Sequence, residues 1–193
     1  MVSSEEPELF RQWEINFSSR ENETYLRRII KVYEAHPLAL RVIAGEMRGF
    51  PYQGDVKAYW HEYGNEIEQV EQLKNSSEER SKSDRPRLDR YSLDLESLVK
   101  TRIEKTFERL YRTHPLAYQL LSMGAVYRCP VERQAWLVML SEQDRESCQT
   151  AFNTLILRFL LESEKKDERV LYRLHNLIRR VALDHLSQIE EYE

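Results

Sequence analysis

Apolar positions along the chain recur mostly every three or four residues, the period of amphipathic helices. Leu9, Phe10 and Trp13 share one face of a helix expected over Glu5 to Trp13, with Ser4 as its cap and Pro7 in its first turn. Ser18 and Glu21 form a capping-box pattern ahead of a second helix, whose stripe is Tyr25/Leu26, Ile29/Ile30 and Tyr33. Pro37 then opens a helix in which Leu38, Ala39, Leu40, Val42, Ile43, Ala44 and Met47 are apolar nearly all round. Such a helix is buried on most sides, and Gly49 and Pro51 stop it. Asp55 caps a long helix with the stripe Val56, Tyr59, Trp60, Tyr63, Ile67 and Val70.

From Asn75 to Arg87 there is no hydrophobe, so a flexible linker is expected over 75–90, between a helical bundle at 1–74 and a second domain at 91–193. The second domain begins with Leu95, Leu98/Val99, Ile103, Phe107 and Leu110/Tyr111 on one helical face. His114-Pro115 breaks that helix, and Leu116, Ala117, Leu120 and Leu121 continue on a short one. Pro130 opens another with Trp136, Leu137 and Leu140 facing inward, and Cys148, Phe152, Leu155/Ile156 and Phe159/Leu160 mark the next.

The period then shortens. Leu160 to Glu162 reads as a short strand, Ser163 to Glu168 as a charged turn, and Val170, Tyr172 and Leu174 alternate as a second strand. His175 to Leu186 closes as a helix on Leu177/Ile178, Val181/Ala182 and His185/Leu186. The expected fold is mainly α: a small helical bundle followed by a winged-helix domain with one short β-hairpin. One internal echo stands out. Tyr33-x-x-His36-Pro37-Leu38-Ala39 returns 78 residues later as Tyr111-x-x-His114-Pro115-Leu116-Ala117. The match fades beyond about a dozen positions, so these read as two independent helix–Pro–helix corners rather than a duplicated domain.

Composition narrows the classes. Of 193 residues, 41% are hydrophobic and 32% charged, and only five are glycine, which disfavours a turn-rich β fold. No run of about 18 apolar residues exists to span a membrane, and the polar, acidic start is not a signal peptide. Cys129 and Cys148 are therefore expected to be reduced thiols of a cytoplasmic protein. Residues 1–87 carry 13 Lys+Arg against 16 Asp+Glu, and residues 88–193 carry 16 against 17. Neither half has the basic excess that a phosphate backbone requires, which argues against nucleic acid as a partner.

Catalytic motifs are lacking. Gly49 to Gly54 has the glycine spacing of a phosphate loop, but Asp55 follows where the lysine belongs. His61-Glu62 lacks a second histidine at i+4, no Cys-x-x-Cys exists, and no glycine elbow surrounds a serine. The chain by itself is not expected to be an enzyme or to hold a metal. The helix in the recognition slot, about Asp144 to Leu160, is mostly neutral, and Lys165 and Lys166 are offset by Glu164, Asp167 and Glu168. His175 begins a helix, beside exposed N–H groups that favour an anion, and its ring can donate to a phosphate oxygen.

Two stretches resemble the NB-ARC family of STAND-class signalling ATPases. His36-Pro37-Leu38-Ala39-Leu40 with Arg41 to Glu46 is similar to the GLPL-type motif of the family's helical domain, and Leu174-His175-Asn176-Leu177-Ile178-Arg179 to the MHD-type motif of its winged-helix domain. Ala35 and His36 stand in place of Gly-Leu, Leu174 in place of Met, and Asn176 in place of an acidic residue. The resemblance implies that Pro37, with Leu38, lies against the adenine of bound ADP or ATP, and that His175 bonds a phosphate in a closed, inactive state. The P-loop and metal-binding aspartates belong to an NTPase domain expected to precede Glu5. The implied function is the regulatory portion of a nucleotide-dependent signalling switch. Its partners would be that NTPase domain and effector or sensor domains, and ADP or ATP binding would be weak or absent in the chain alone. The competing readings are a ligand-free helical adaptor that uses the aromatic stripe Tyr59/Trp60/Tyr63 and a winged-helix regulator on DNA.

Overall fold

The computed structural model describes residues 10–80 and 87–190. The fold is mainly helical with one small antiparallel sheet. The chain divides into two compact units, Met1–Val99 and Lys100–Glu193.

The first unit is built on α1 (Arg20–Val32), α2 (Pro37–Arg48) and α3 (Val56–Arg80). The helix expected from Glu5 lies largely outside the described residues; a helical turn is present at 10–12, with Phe10 fully buried. The cap of α1 is Ser19, whose side chain accepts from the Asn22 N–H at 3.1 Å, not Ser18. Two adjacent serines offer the same hydroxyl, and Ser18 is turned instead toward the Asn16 side chain. Nine of the twelve residues of α2 are buried, which makes it the centre of the unit, and its end falls at Gly49 as the sequence requires. Asp55 caps α3 by accepting from the N–H groups of Lys57 and Ala58. Asn16 and Asp55 form a parallel bridge that closes the entry segment on the start of α3. Gly54 sits there at φ +86°, and a Cβ on it would come within 2.7 Å of the Glu14 carbonyl oxygen, so only glycine fits without strain.

Across the face between α1 and α3, Arg28 reaches Glu68 and Glu71 and lies over the Trp60 ring at 5.0 Å. Trp60 in turn stacks on Tyr25 at 4.8 Å. Tyr59 is fully buried and donates to the buried Glu46 carboxylate at 2.9 Å. Tyr63 packs on Tyr59 and Tyr52. Of the stripe Tyr59/Trp60/Tyr63, Tyr59 is therefore turned into the core, while Trp60 and Tyr63 are half-buried.

Residues 75–80 end α3, and 87–90 begin α4 (Arg87–Thr113), so both are helical where coil is expected; 81–86 lie outside the described residues. Glu, Lys, Arg and Leu are good helix formers, and a lack of hydrophobes does not cancel that preference next to a helix already nucleated.

In the second unit Ile103, Phe107 and Leu110 of α4 are fully buried, whereas Tyr111, expected on the same face, is exposed. There follow α5 (Pro115–Met123), a 3-10 turn (Gly124–Val126), β1 (Val131–Glu132), α6 (Arg133–Val138), α7 (Arg145–Leu157), β2 (Glu162–Lys166), β3 (Arg169–Arg173) and α8 (Asn176–Glu190). Pro130 precedes a strand rather than opening a helix. The strands lie in the order β1-β3-β2, all antiparallel. Helices α5 to α7 followed by the β2–β3 hairpin, with β1 completing the sheet, give this unit its winged-helix-like form.

The hairpin is present but shifted from its expected place. Leu160 and Leu161 are buried in the connection before it, and the charged run Glu162 to Lys166 is itself the strand. Only Asp167 and Glu168 turn, both at positive φ (47° and 63°), the two-residue geometry that matches strand twist. Charge is tolerated because β2 is an edge strand and Glu162 pairs directly across with Arg173 at 3.0 Å. The core centres on Trp136, which packs on Tyr127 and Phe152, and Phe152 meets Tyr172 from the sheet.

Candidate functional site

Two corners carry the candidate residues. At the first, α1 ends in Tyr33, and Glu34 and Ala35 both adopt left-handed backbone (φ 53° and 56°). The Ala35 N–H donates to the Ile30 carbonyl and the His36 N–H to the Tyr33 carbonyl, both at 2.9 Å, so the helix end is closed by its own backbone. His36 is the extended cap of α2, and Pro37 is its first residue, where no N–H is needed. Pro37 is exposed, while Leu38 is buried at 5% exposure. The pyrrolidine ring is therefore the apolar surface this corner presents, and Leu38 anchors it from below. His36 Nδ1 is buried and has no hydrogen-bond partner among the described residues, and burial holds this imidazole below its ordinary pKa.

The second corner is where β3 passes into α8. Leu174 is buried and plugs the strand end into the core. His175 is half-buried, and its Nδ1 accepts the Leu177 backbone N–H at 3.2 Å. Its carbonyl accepts the Arg179 N–H at 2.9 Å, the first turn of the helix. The imidazole is thus the side-chain cap of α8, a role more often taken by Ser, Thr, Asp or Asn. An Nδ1 that accepts must carry its lone pair, so the neutral ring bears its proton on Nε2. Asn176 is exposed at the first position of α8.

The arginines around this corner differ sharply. Arg173 is bound to the Glu162 carboxylate. Arg180 is exposed. Arg179 is half-buried, and its Nε donates to the Tyr127 backbone carbonyl at 3.2 Å. That bond ties α8 to the segment after the 3-10 turn, and the Tyr127 hydroxyl donates to the Ala135 carbonyl at 2.8 Å. No sequence pattern announces a contact spanning 52 residues.

Pro37 and Leu38 belong to the first unit and are adjacent at one helix start; His175 belongs to the second. The echo of the first corner, His114-Pro115, also starts a helix, but its imidazole has partners: Nδ1 lies 2.8 Å from Thr113 Oγ1 and 3.4 Å from the buried Arg158. Burial and the Arg158 charge both lower the pKa of His114. This corner lines a cleft of about 380 Å³ together with Asp144, Ser147 and Thr150 of the α7 start. A larger, open depression of about 620 Å³ lies beside β1 and β3, lined by Glu132, Arg133, Arg169 and Tyr172. Neither includes Pro37, Leu38 or His175. Among the described residues no three His, Cys, Asp or Glu side chains converge as a metal site, and no helix is long and apolar enough to cross a membrane. Cys129 and Cys148 are both free thiols, the latter buried with its sulfur directed at the Leu140 carbonyl. Among known proteins, no family model, no curated protein and no solved structure matches this chain.

Proposed function

We propose that this chain is the regulatory portion of a nucleotide-dependent signalling switch. In this reading it supplies an apolar contact to adenine through Pro37 and a phosphate contact through His175. Most of the grip on ADP or ATP comes from an NTPase domain that carries the P-loop this sequence lacks. The observation that carries the reading is the cap at α8. With the Leu177 N–H donating to its Nδ1, a neutral His175 ring carries its proton on Nε2, the type of donor that a phosphate oxygen takes. The ring also lies at a helix start, where anions are favoured. Pro37 supports it as an exposed, rigid apolar face on the most buried helix of its unit. Leu38 enters as the anchor beneath Pro37 rather than as a ligand contact, since it is buried. Releasing one donor when domains separate would make the closed state nucleotide-dependent.

The adaptor reading keeps only part of its stripe, because Tyr59 is buried, while Trp60 and Tyr63 are half-buried beside Tyr25, Tyr52 and Tyr59. The nucleotide reading is tested by titrating the chain with ADP while following amide and imidazole resonances. Two contacts without a P-loop correspond to binding of about 1 mM or weaker. Shifts at residues 36–40 and at His175 are expected, with the His175 shifts absent when adenosine replaces ADP. Silence at both corners up to about 10 mM ADP overturns the reading, and so does submicromolar binding, which two contacts cannot supply.

A further inference from the structure

Strand β1 stops after two residues, and β3 runs on without it. Val131 and Glu132 pair with Tyr172 and Leu171, and the chain then leaves the sheet at Arg133 into α6. Val170 and Arg169 keep their partners on β2, Lys165 and Lys166, but among the described residues no strand lies beside them on the β1 side. The tight turn at Asp167 and Glu168 decides which backbone groups point there. In a two-residue hairpin the residues flanking the turn, here Lys166 and Arg169, bond to each other, and bonded and non-bonded pairs then alternate. The N–H and C=O of Val170 therefore point away from β2, along the line that β1 does not continue. The open depression of about 620 Å³ is bounded by the end of β1, at Glu132 and Arg133, and by this stretch of β3, at Arg169, Val170 and Tyr172. The Val170 side chain is 47% exposed beside it.

The depression also carries charge. Arg133 lies over the Phe152 ring at 5.0 Å, and Phe152 meets Tyr172 of β3 edge-on at 5.0 Å, so the guanidinium is held in one layer with the sheet. One terminal nitrogen of Arg133 donates to the neutral Asn153 side chain at 3.2 Å, while its Nε is buried and has no hydrogen-bond partner among the described residues. Glu132, the neighbouring carboxylate, is bound to Arg169 at 2.9 Å. Two cations thus stand against one carboxylate along the lining, a net charge of +1.

We propose that this depression docks an extended acidic segment of a partner protein, which adds to β3 at Val170 and places a Glu or Asp side chain on Arg133. Each part of the site selects one feature of that partner. The open N–H and C=O of Val170 are met by another extended backbone. The exposed Val170 side chain takes an apolar residue. A guanidinium held by an aromatic ring and an amide is preorganised for a carboxylate. The outer edge of β2 also has an open backbone, but Glu164, Lys165 and Lys166 line it with the charges that keep an edge from pairing. This docking is independent of any nucleotide.

The test titrates the full chain with a blocked peptide, acetyl-Thr-Val-Glu-Val-Thr-amide, and follows backbone amide resonances. A single paired residue and one charge-assisted contact correspond to a Kd of about 1 mM, with the largest shifts at 131–134 and 169–172. Replacing the peptide's Glu by Gln is expected to weaken binding about tenfold. Arg133→Gln should weaken the Glu peptide equally and leave the Gln peptide within about twofold, the mark of a shared contact. A peptide N-methylated at its three central residues should not bind. The peptide changes leave the protein untouched, so they decide the matter even if Arg133→Gln fails to fold. Silence up to about 10 mM peptide overturns the proposal, as do shifts that spare Val170 or equal binding of the Glu and Gln peptides. Undiminished binding of the N-methylated peptide overturns it too, because the site then takes a carboxylate without strand addition. If the same resonances move on dilution of the chain alone, the edge belongs to a second copy and the proposal falls.

Discussion

The indole of Trp136 lies where a side chain on Gly124 would be: a Cβ built on that glycine would come within 1.9 Å of Trp136 Cζ3. Trp136 is fully buried and joins Tyr127, Phe152 and, through Phe152, the sheet. Its ring cannot move aside without disturbing all three. Gly124→Ala is therefore expected to destabilise the second unit by about 3 kcal/mol, the upper end for overpacking. In melting curves this is a fall of roughly 10 °C or more. Trp136→Phe, costly alone, should be less so in the Gly124→Ala background. A melting point within about 2 °C of wild type for Gly124→Ala would show that the ring yields easily, against this packing.

This contact also shows what a sequence reveals and what it hides. The helix after Pro37 is legible because its apolar run has no polar face to expose, and nine of its twelve residues are indeed buried. The stripe Ile103, Phe107 and Leu110 is legible for the same reason, since period alone decides its buried face. Position was harder than existence in the hairpin: Glu162 to Lys166 reads as loop by composition, but an edge strand needs only a partner, and β3 supplies it. Strand β1 is two residues long and its partner Tyr172 lies far along the chain, beyond any local signal. At the candidate site, Pro37 and His175 are visible as residues. The cap on His175, the Arg179–Tyr127 bond and the inward turn of Tyr59 are tertiary facts that periodicity does not encode.

Three histidines link stability to pH in one direction. Burial lowers the pKa of His36, of His114 (with the Arg158 charge) and of His185 below the ordinary 6.5. His185 stacks on Phe107 at 4.9 Å, and its Nδ1 lies 3.1 Å from the Tyr118 hydroxyl, while Glu104, Asp184 and Glu108 act in the opposite sense and only partly offset burial. A neutral form favoured on folding means that the unfolded chain binds more protons as pH falls. The stabilisation is complete above the unfolded value and declines as pH drops through it toward the lower folded values. The melting temperature should therefore fall between about pH 7.5 and pH 5.5, and the slope should flatten in His185→Gln. An unchanged slope in that variant would remove His185 from the set. The carboxylates of Glu21 and Asp144, lowered by hydrogen bonds to Lys57 and to Ser147, act in a separate and more acidic window.

The pair Tyr59–Glu46 sets a buried carboxylate inside the most apolar helix of the first unit, with a hydroxyl donating at 2.9 Å. Tyr59→Phe keeps the ring but takes one donor from a carboxylate that is 4% exposed. The expected loss is about 1 to 3 kcal/mol by chemical denaturation. Tyr59→Phe combined with Glu46→Met removes both ends of this bond, so the double variant should lose less than the sum of the two single losses. Additive losses in the double variant would mean that the two side chains do not share this bond energetically.

At His175 the structural and the binding roles can be separated by choice of substitution. The ring does two things in the proposed reading: Nδ1 accepts the Leu177 N–H, and Nε2–H faces the anion. Alanine removes both, and the lost cap should cost about 1 kcal/mol. Asparagine is among the best capping residues, and its short carbonyl can accept the same N–H. It cannot reproduce a donor on the far side of an imidazole. His175→Asn should therefore melt within about 0.5 kcal/mol of wild type while losing the shifts at the start of α8 that ADP or pyrophosphate induces. If both variants lose stability alike, the ring contributes through packing rather than through the cap. If His175→Asn keeps the anion response, the donor is a backbone N–H of the helix start, and His175 serves α8 only as its cap.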